Sequence, residues 1–298
     1  MTPAPIVLFA YNRPHHVKKT LETLQRNTLA AESNLTIYID YPKNPGPESI
    51  ALFQEVITVA SAQQWCKNVS IVQRDKNLGL ANSIIRGVSE QLKTSETVIV
   101  LEDDFLLAPH FLQYMNDALA MYKNDSNVAS VHGYCLPVNK TLPETYFLRG
   151  TDCWGWGTWY RAWTHFETDG TILRKALREE RLIKALNFDN SYNYYGMLCD
   201  QIAGKNNSWA VRWHAHAVLR NMITLHPGKS LVKNIGLDNT GQHSTYDERL
   251  VVDLYDGALR VERLKTKENA EVFNIIKEYY KSNSTLYEKL TLQLDTLR

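Results

Sequence analysis

Three consecutive carboxylates, Glu102, Asp103 and Asp104, close the apolar run Val98–Leu101 inside "TVIVLEDDFLLAPHFLQYM". Anions side by side at the tip of a buried segment repel one another unless a cation, hydrogen-bond donors or water relieve them. Mg2+ and Mn2+ would do so: they prefer hard oxygen ligands, usually one or two carboxylates completed by phosphate oxygens and water. Successive residues of an extended segment point to opposite sides, so one or two of the acids can face a ligand while another supports from behind. The same acids would also suit the N-terminus of a following helix.

A second stretch, "RDKNLGLANSIIRG" from Arg74, puts Asn77 and Gly79 in a tight turn ahead of a helix. The N-terminus of a helix favours anions, and Gly79 permits close approach of a ligand to the backbone. It also reads as a plain strand-to-helix connection. Neither GxGxxG after the first strand nor a Walker GxxxxGK[ST] occurs, which disfavours a dinucleotide or P-loop site.

The third is "DCWGWGTWYRAW", Asp152 to Trp163, where four tryptophans alternate with small residues. Such rings offer flat apolar faces to a sugar, or simply pack a core. His214 and His216 in "WHAHAVLRN" would share a face in an extended segment. Nothing nearby completes a zinc set, so packing or hydrogen bonding is expected of them.

The positioning elements follow from periodicity. "PIVLFA", "LTIYID", "NVSIVQ" and "TVIVLEDD" read as strands. Between them Val17/Leu21/Leu24, Ile50/Phe53/Ile57/Ala60 and Ala81/Ile84/Ile85/Val88/Leu92 mark the buried faces of helices. A fourth helix begins near Pro109 and buries Phe111, Met115, Ala118, Leu119 and Tyr122. Continuous apolar strands in β-α alternation predict an α/β fold with a mostly parallel, Rossmann-like sheet covered by helices. Ligands bind such sheets beyond the carboxyl ends of the strands. Those ends carry Asn12 and Arg13, Asp40, Arg74 and Asp75, and the acidic triplet. From Glu262 onward, Val272, Ile275, Ile276 and Tyr279 predict a helical tail.

Taken in order and spacing, "PIVLFAYNRP", "IYID", "RDKNLGLANSIIRG" and "VIVLEDDF" resemble GT-A fold nucleotide-sugar glycosyltransferases of the family 2 type. "LEDDFLLAPHFLQYM" is similar to the N-acetylglucosaminyltransferase of complex N-glycan synthesis, in which EDD replaces the usual DxD. "DQIAGKNNSWAVRW" and "SLVKNIGLDNTGQHS" resemble bacterial glycosyltransferases of surface-polysaccharide clusters. The resemblance covers about residues 5–245 and implies a catalytic domain over 1–261, with a nucleotide-binding half to 105 and an acceptor half beyond it. Residues 262–298 form the helical tail.

The resemblance also implies roles. Ala10, Tyr11, Asn12 and Arg13 would line the nucleotide pocket, with Asp40 near uracil or ribose and Arg74 and Asn77 on the base side. Asp103 would contact ribose or sugar hydroxyls, Glu102 would reach the donor sugar, and Asp104 would bind Mn2+ or Mg2+, with His243 as a further contact. Trp154, Gly155 and Trp156 would line the acceptor or sugar pocket. Asp200 would be the catalytic base, with Asp152, Glu167 and Asp169 in reserve. The implied activity is inverting transfer of a hexosyl or N-acetylhexosaminyl group, from a UDP-sugar by preference, to a glycan or lipid-linked glycan. EDD in place of DxD leaves open how the triplet divides its labour.

Composition sets the outer bounds. A net charge of +1 argues against a nucleic-acid partner. No run of about 20 apolar residues suggests a membrane span. The four cysteines form no CxxC pair and fit a reducing cytoplasm. Mixed charges around Lys277, Tyr279, Tyr280 and Lys281 leave the tail open to peripheral membrane contact, packing or homodimerisation. Two other functions stay in view: a sugar-phosphate nucleotidyltransferase, although "LFAYNRPHH" lacks the expected glycine-rich loop, and a non-catalytic carbohydrate binder.

Overall fold

The structure is a computed structural model that describes residues 2–238 and 247–296. The first third alternates as its periodicity requires: β1 (Ile6–Ala10), α1 (Pro14–Gln25), β2 (Asn34–Ile39), α2 (Pro47–Ser61), β3 (Asn68–Gln73), α3 (Leu80–Leu92) and β4 (Thr97–Glu102). Then come β5 (Phe105–Leu107), α4 (Phe111–Met121), β6 (Val128–His132), β7 (Thr145–Arg149) and β8 (Trp156–Trp159). Helices α5 (Tyr160–Trp163), α6 (Gly170–Glu179), α7 (Ile183–Leu186), α8 (Tyr194–Ile202) and α9 (Trp209–Leu219) follow. The chain continues through β9 (Ile223–Pro227) and β10 (Val232–Asn234), and its tail forms α10 (Ala270–Asn283) and α11 (Leu286–Thr296).

Eight strands form one sheet in the order β3-β2-β1-β4-β8-β6-β9-β7. Pairings β1–β2, β1–β4, β2–β3 and β6–β9 are parallel, while β8 runs antiparallel to both neighbours and β7 antiparallel to β9. The fold is therefore α/β, with a mostly parallel sheet flanked by helices and C-terminal helices beyond it.

Alternation along β1 explains the two helical layers. Ile6, Leu8 and Ala10 pack with Val17, Leu21 and Leu24 of α1 and Phe53 and Val56 of α2. Val7 and Phe9 face the other way, toward Ala81, Ile84 and Val88 of α3 and Trp209 and Trp213 of α9. Burying one such aliphatic side chain contributes about 1.5–3 kcal/mol, so register is strongly fixed in these strands. The α4 face is buried as its spacing predicts, but the helix starts at Phe111, because Phe105–Leu107 first forms β5 against β10. Val272, Phe273 and Ile276 of α10 pack on Tyr146 and Leu148 of β7.

Candidate functional site

Adjacent parallel strands bring their ends together, and Phe9 of β1 stands opposite Glu102 of β4. The acids beyond β4 therefore meet the turn beyond β1. Arg13, immediately before Pro14 opens α1, turns its guanidinium back: one nitrogen contacts Asp103 and also reaches Asp104 Oδ2 at 2.8 Å. The Tyr11 N–H donates to Asp103 Oδ2 at 3.4 Å, and the Thr20 hydroxyl donates to the Asp103 carbonyl at 2.8 Å. The repulsion posed by the triplet is relieved here by a guanidinium.

The electrostatics record that balance. Burial pushes Asp103 up to about 6, against the opposing charge of Arg13. Burial, helped by Asp104 and Asp103, pushes Glu102 well above the usual carboxylate range. Burial works to lower Arg13, but the two aspartates outweigh it and hold the guanidinium above its ordinary value. Its Nη1 is buried and has no hydrogen-bond partner among the described residues.

A second layer fixes the loops. Asp40, at the end of β2, accepts N–H groups of Leu78 at 2.9 Å and Gly79 at 2.8 Å, and the Asn77 amide at 3.1 Å. Asn77 also donates to the Tyr41 carbonyl at 2.6 Å. Gly79 has φ +73° just before α3, so the expected turn is real and Asp40 clamps it. Arg74 points elsewhere, into an ion pair with Glu90 at 2.9 Å and over the Tyr38 ring. The Tyr11 hydroxyl accepts the Lys43 N–H at 2.9 Å. Ala10 is buried and Asn12 half-buried beside Arg13. Above the cluster, the β5–β10 pairing holds the chain so that the Ile235 N–H donates to the Asp104 carbonyl at 2.8 Å. A Cβ on Gly236 would overlap the Asp104 carboxylate. His243 lies outside the described residues.

The tryptophan segment divides. Trp156 is 1% exposed and packed against Trp163 and Trp209, so its rings belong to the core and have no face free for a sugar. Gly155, at φ +62°, lets the backbone pass against Val232, where a Cβ would be too close. Trp154 is half-buried and meets Tyr134 edge to face at 4.7 Å. In the antiparallel β4–β8 register Trp156 stands opposite Val100, so the residues just before it run past the carboxyl end of β4 toward the acidic cluster. The Cys153 thiol is raised by burial and by the charges of Asp152, Glu102 and Asp104.

The candidate bases separate too. Asp200 on α8 pairs with Lys205 at 2.9 Å, and none of its bonds among the described residues reaches the cluster. Asp169 caps α6 through the Thr171 N–H, and Glu167 accepts the Asp169 N–H. Asp152 stands at a pocket mouth with its carboxyl 43% exposed and 3.8 Å from His132 Nε2. Desolvation by the surrounding walls raises its pKa.

His132 and His226, not singled out by sequence, end β6 and lie within β9. The Trp154 N–H donates to His132 Nε2 at 3.1 Å, which assigns the His132 proton to Nδ1, 3.3 Å from His226 Nδ1. Burial pushes both imidazoles down to about 3, so the pair is neutral. A lone histidine at the end of each of two apolar runs was the available signal. His214 and His216 sit on helix α9 and so do not share a face. His214 bonds the Thr151 and Leu186 backbone, and His216 stacks on Trp213.

No protein-family model and no curated protein matches the chain. Among solved structures it is similar to a mannosyltransferase of Pyrobaculum calidifontis in complex with GDP-Man and Mn2+, at 16% identity and TM-score 0.34. That match covers 44% of this chain and 35% of the other. S. aureus TarS 1–349 in complex with UDP matches at 12% identity and TM-score 0.32, over 47% and 38% of the two chains. A UDP-glucose pyrophosphorylase complexed with UDP-glucose matches at 11% and TM-score 0.36, over 75% and 90%. The chain thus spans little more than a third of either transferase. Likenesses this slight assign no activity; the residues of the site must do so.

Proposed function

We propose that the chain transfers a sugar from a nucleotide-diphosphate donor, UDP-linked by preference, to a glycan hydroxyl, with inversion. The supporting observation is the cluster of Arg13, Asp103, Asp104 and Glu102 at the carboxyl ends of two adjacent parallel strands. Buried charge at that edge suits a ligand that itself brings charge.

The donor set tests well for a divalent ion in type, and incompletely in number. Among the described residues no group of three or more His, Cys, Asp or Glu could hold a metal. Mg2+ and Mn2+ need only one or two carboxylates when diphosphate supplies the rest. Asp104 would hold the ion, since among the described residues only its Oδ2 is engaged, and Glu102 would support it. A bound ion would neutralise charge on the departing diphosphate.

The chain's own groups would divide the work as follows. Tyr11, Asn12 and Asp103 would contact base, ribose and sugar hydroxyls, and Asp40 with Asn77 would keep the adjoining loop in place. Arg13 would offer its unpartnered nitrogen to phosphate. Asp152, rather than Asp200, would take the acceptor proton as that oxygen attacks the anomeric carbon and the bond to diphosphate breaks. Its loop leads into β8, whose antiparallel register with β4 brings it to the acidic end of that strand, whereas Asp200 is tied to Lys205. Among the described residues no helix is long and apolar enough to cross a membrane, so a lipid-linked acceptor would be met at a surface.

Calorimetric titration of UDP, with Mn2+ and with chelator, tests this. Metal-dependent binding lost by at least about 100-fold in Asp104→Ala is expected, together with intact UDP binding but about 100-fold slower sugar transfer in Asp152→Asn. Failure of UDP, GDP and dTDP alike to bind would sink the transferase and leave a glycan binder.

A further inference from the structure

Behind Asp152 a pocket opens between the sheet and the tail, walled by Tyr134, Tyr194, His226, Ile276 and Tyr280. The cavity measures about 30 Å³, enough for a water-sized group. Tyr134, Tyr194 and Tyr280 line it together with Asp152, so three phenols share the pocket with one carboxyl.

Its chemistry selects against anionic occupants. Arg149 lines the pocket but is committed to Glu268 and, at 3.3 Å, to Asp189, so among the described residues lining it an anion would find no free cation. For an ammonium group the Asp152 carboxylate is a partner, but two of the ring faces that would reinforce it are taken: Tyr194 stacks on His214 at 4.3 Å and Tyr146 on His226 at 5.7 Å. Among the phenols, Tyr134 donates to the Leu250 carbonyl at 2.9 Å, and Tyr194 and Tyr280 hydrogen-bond each other, so with the Asp152 carboxyl they present acceptor oxygens, which match the donating hydroxyls of a sugar.

The wall is also strained. Phe188, Asp189 and Asn190 are three consecutive non-glycine residues with φ of 50°, 55° and 59°. Left-handed residues normally occur singly, and a run of them persists only where its surroundings impose it. Here Arg149 and Lys277 hold Asp189, and Phe188 stacks on Phe273 of α10 at 4.4 Å. The tail thus braces the same wall that it helps to form.

We infer that this pocket receives the hydroxyl-bearing edge of an uncharged acceptor sugar, and that helix α10, through Tyr280 and Ile276, is one wall of the subsite. This rests on the transferase reading. The tail would then belong to the acceptor site.

Saturation-transfer NMR with the methyl glycosides of glucose, galactose, mannose and N-acetylglucosamine, with and without UDP, tests it. At least one glycoside should bind, about tenfold more weakly to Tyr280→Ala and about fivefold more weakly to Tyr280→Phe, which keeps the ring and the packing. Glycoside binding indifferent to both substitutions, or no glycoside binding at all, would overturn the inference. So would choline competing for the pocket. Tyr280-dependent glycoside binding by a protein that ignores every nucleotide would uphold the sugar subsite and overturn the transferase instead.

Discussion

At the ends of β1 and β4 the chain buries an ion cluster, Arg13 against Asp103 and Asp104. At the ends of β6 and β9, in the same sheet, it buries titratable groups as neutral molecules, with His132 and His226 sharing one proton-defined contact under Asp152. Both regions face the low dielectric of the interior, where an unpaired charge is costly. The first meets that cost by pairing, and a pair can exchange partners with an incoming phosphate or cation. The second meets it by keeping its two histidines neutral, so that the charge there sits on Asp152, 43% exposed at the edge. A donor that is charged and an acceptor that is not would need this division.

The largest effect should come from breaking the pair. Arg13→Ala leaves Asp103, 5% exposed at its side chain, beside Asp104 without a counter-charge. Unfolding in urea should show a loss of about 3–5 kcal/mol, part of which Mg2+ or Mn2+ restores. A variant as stable as the parent would mean that the acids are protonated or solvated, and the contrast between the two regions would fail.

How much of this was legible varies by the range of the interaction. The β1–β4 alternation, the α1 face Val17, Leu21 and Leu24, and the Gly79 turn follow from local periodicity and backbone freedom. The Arg13–Asp103 contact spans 90 residues, yet was within reach. Both residues lie just past strands that a β-α alternation places side by side. The insertion of β8 antiparallel between β4 and β6 was not, because "WGTW" carries no directional signal. That insertion is what sends Trp156 into the core and leaves Trp154 half-buried against Tyr134. The clamp of Asp40 on residues 77–79 and the docking of α10 on β7 likewise depend on tertiary contacts.

A medium effect should follow acidification. His226 is held at about 3, below an unfolded value of about 6.5, so the unfolded chain binds the extra proton first. Its contribution is complete above about pH 6.5 and declines as pH falls toward about 3, by up to about 1.4 kcal/mol per pH unit. Glu102 and Asp103, raised in the folded state, act in the opposite sense, so the difference between variants is the measurement. His226→Gln should flatten the acid limb of stability against pH by about 1 kcal/mol per unit. An unchanged limb would mean that the imidazole is already solvated.

The smallest effect is expected at Asp200. Its carboxylate is 46% exposed and its ion pair is with Lys205, itself 67% exposed, so screening leaves little energy in the pair. Asp200→Asn should change stability by less than about 0.5 kcal/mol and leave UDP affinity as it was. The informative quantity is transfer. If Asp152 is the base, Asp200→Asn should retain transfer within about twofold, since a group that neither touches the reacting oxygen nor holds one that does contributes little to the barrier. A loss of about 100-fold at Asp200 with Asp152→Asn unaffected would reverse the assignment and require α8 to approach the acidic cluster when donor binds. That would carry the charged region's logic, an ion pair held ready for exchange, across to the neutral side of the molecule.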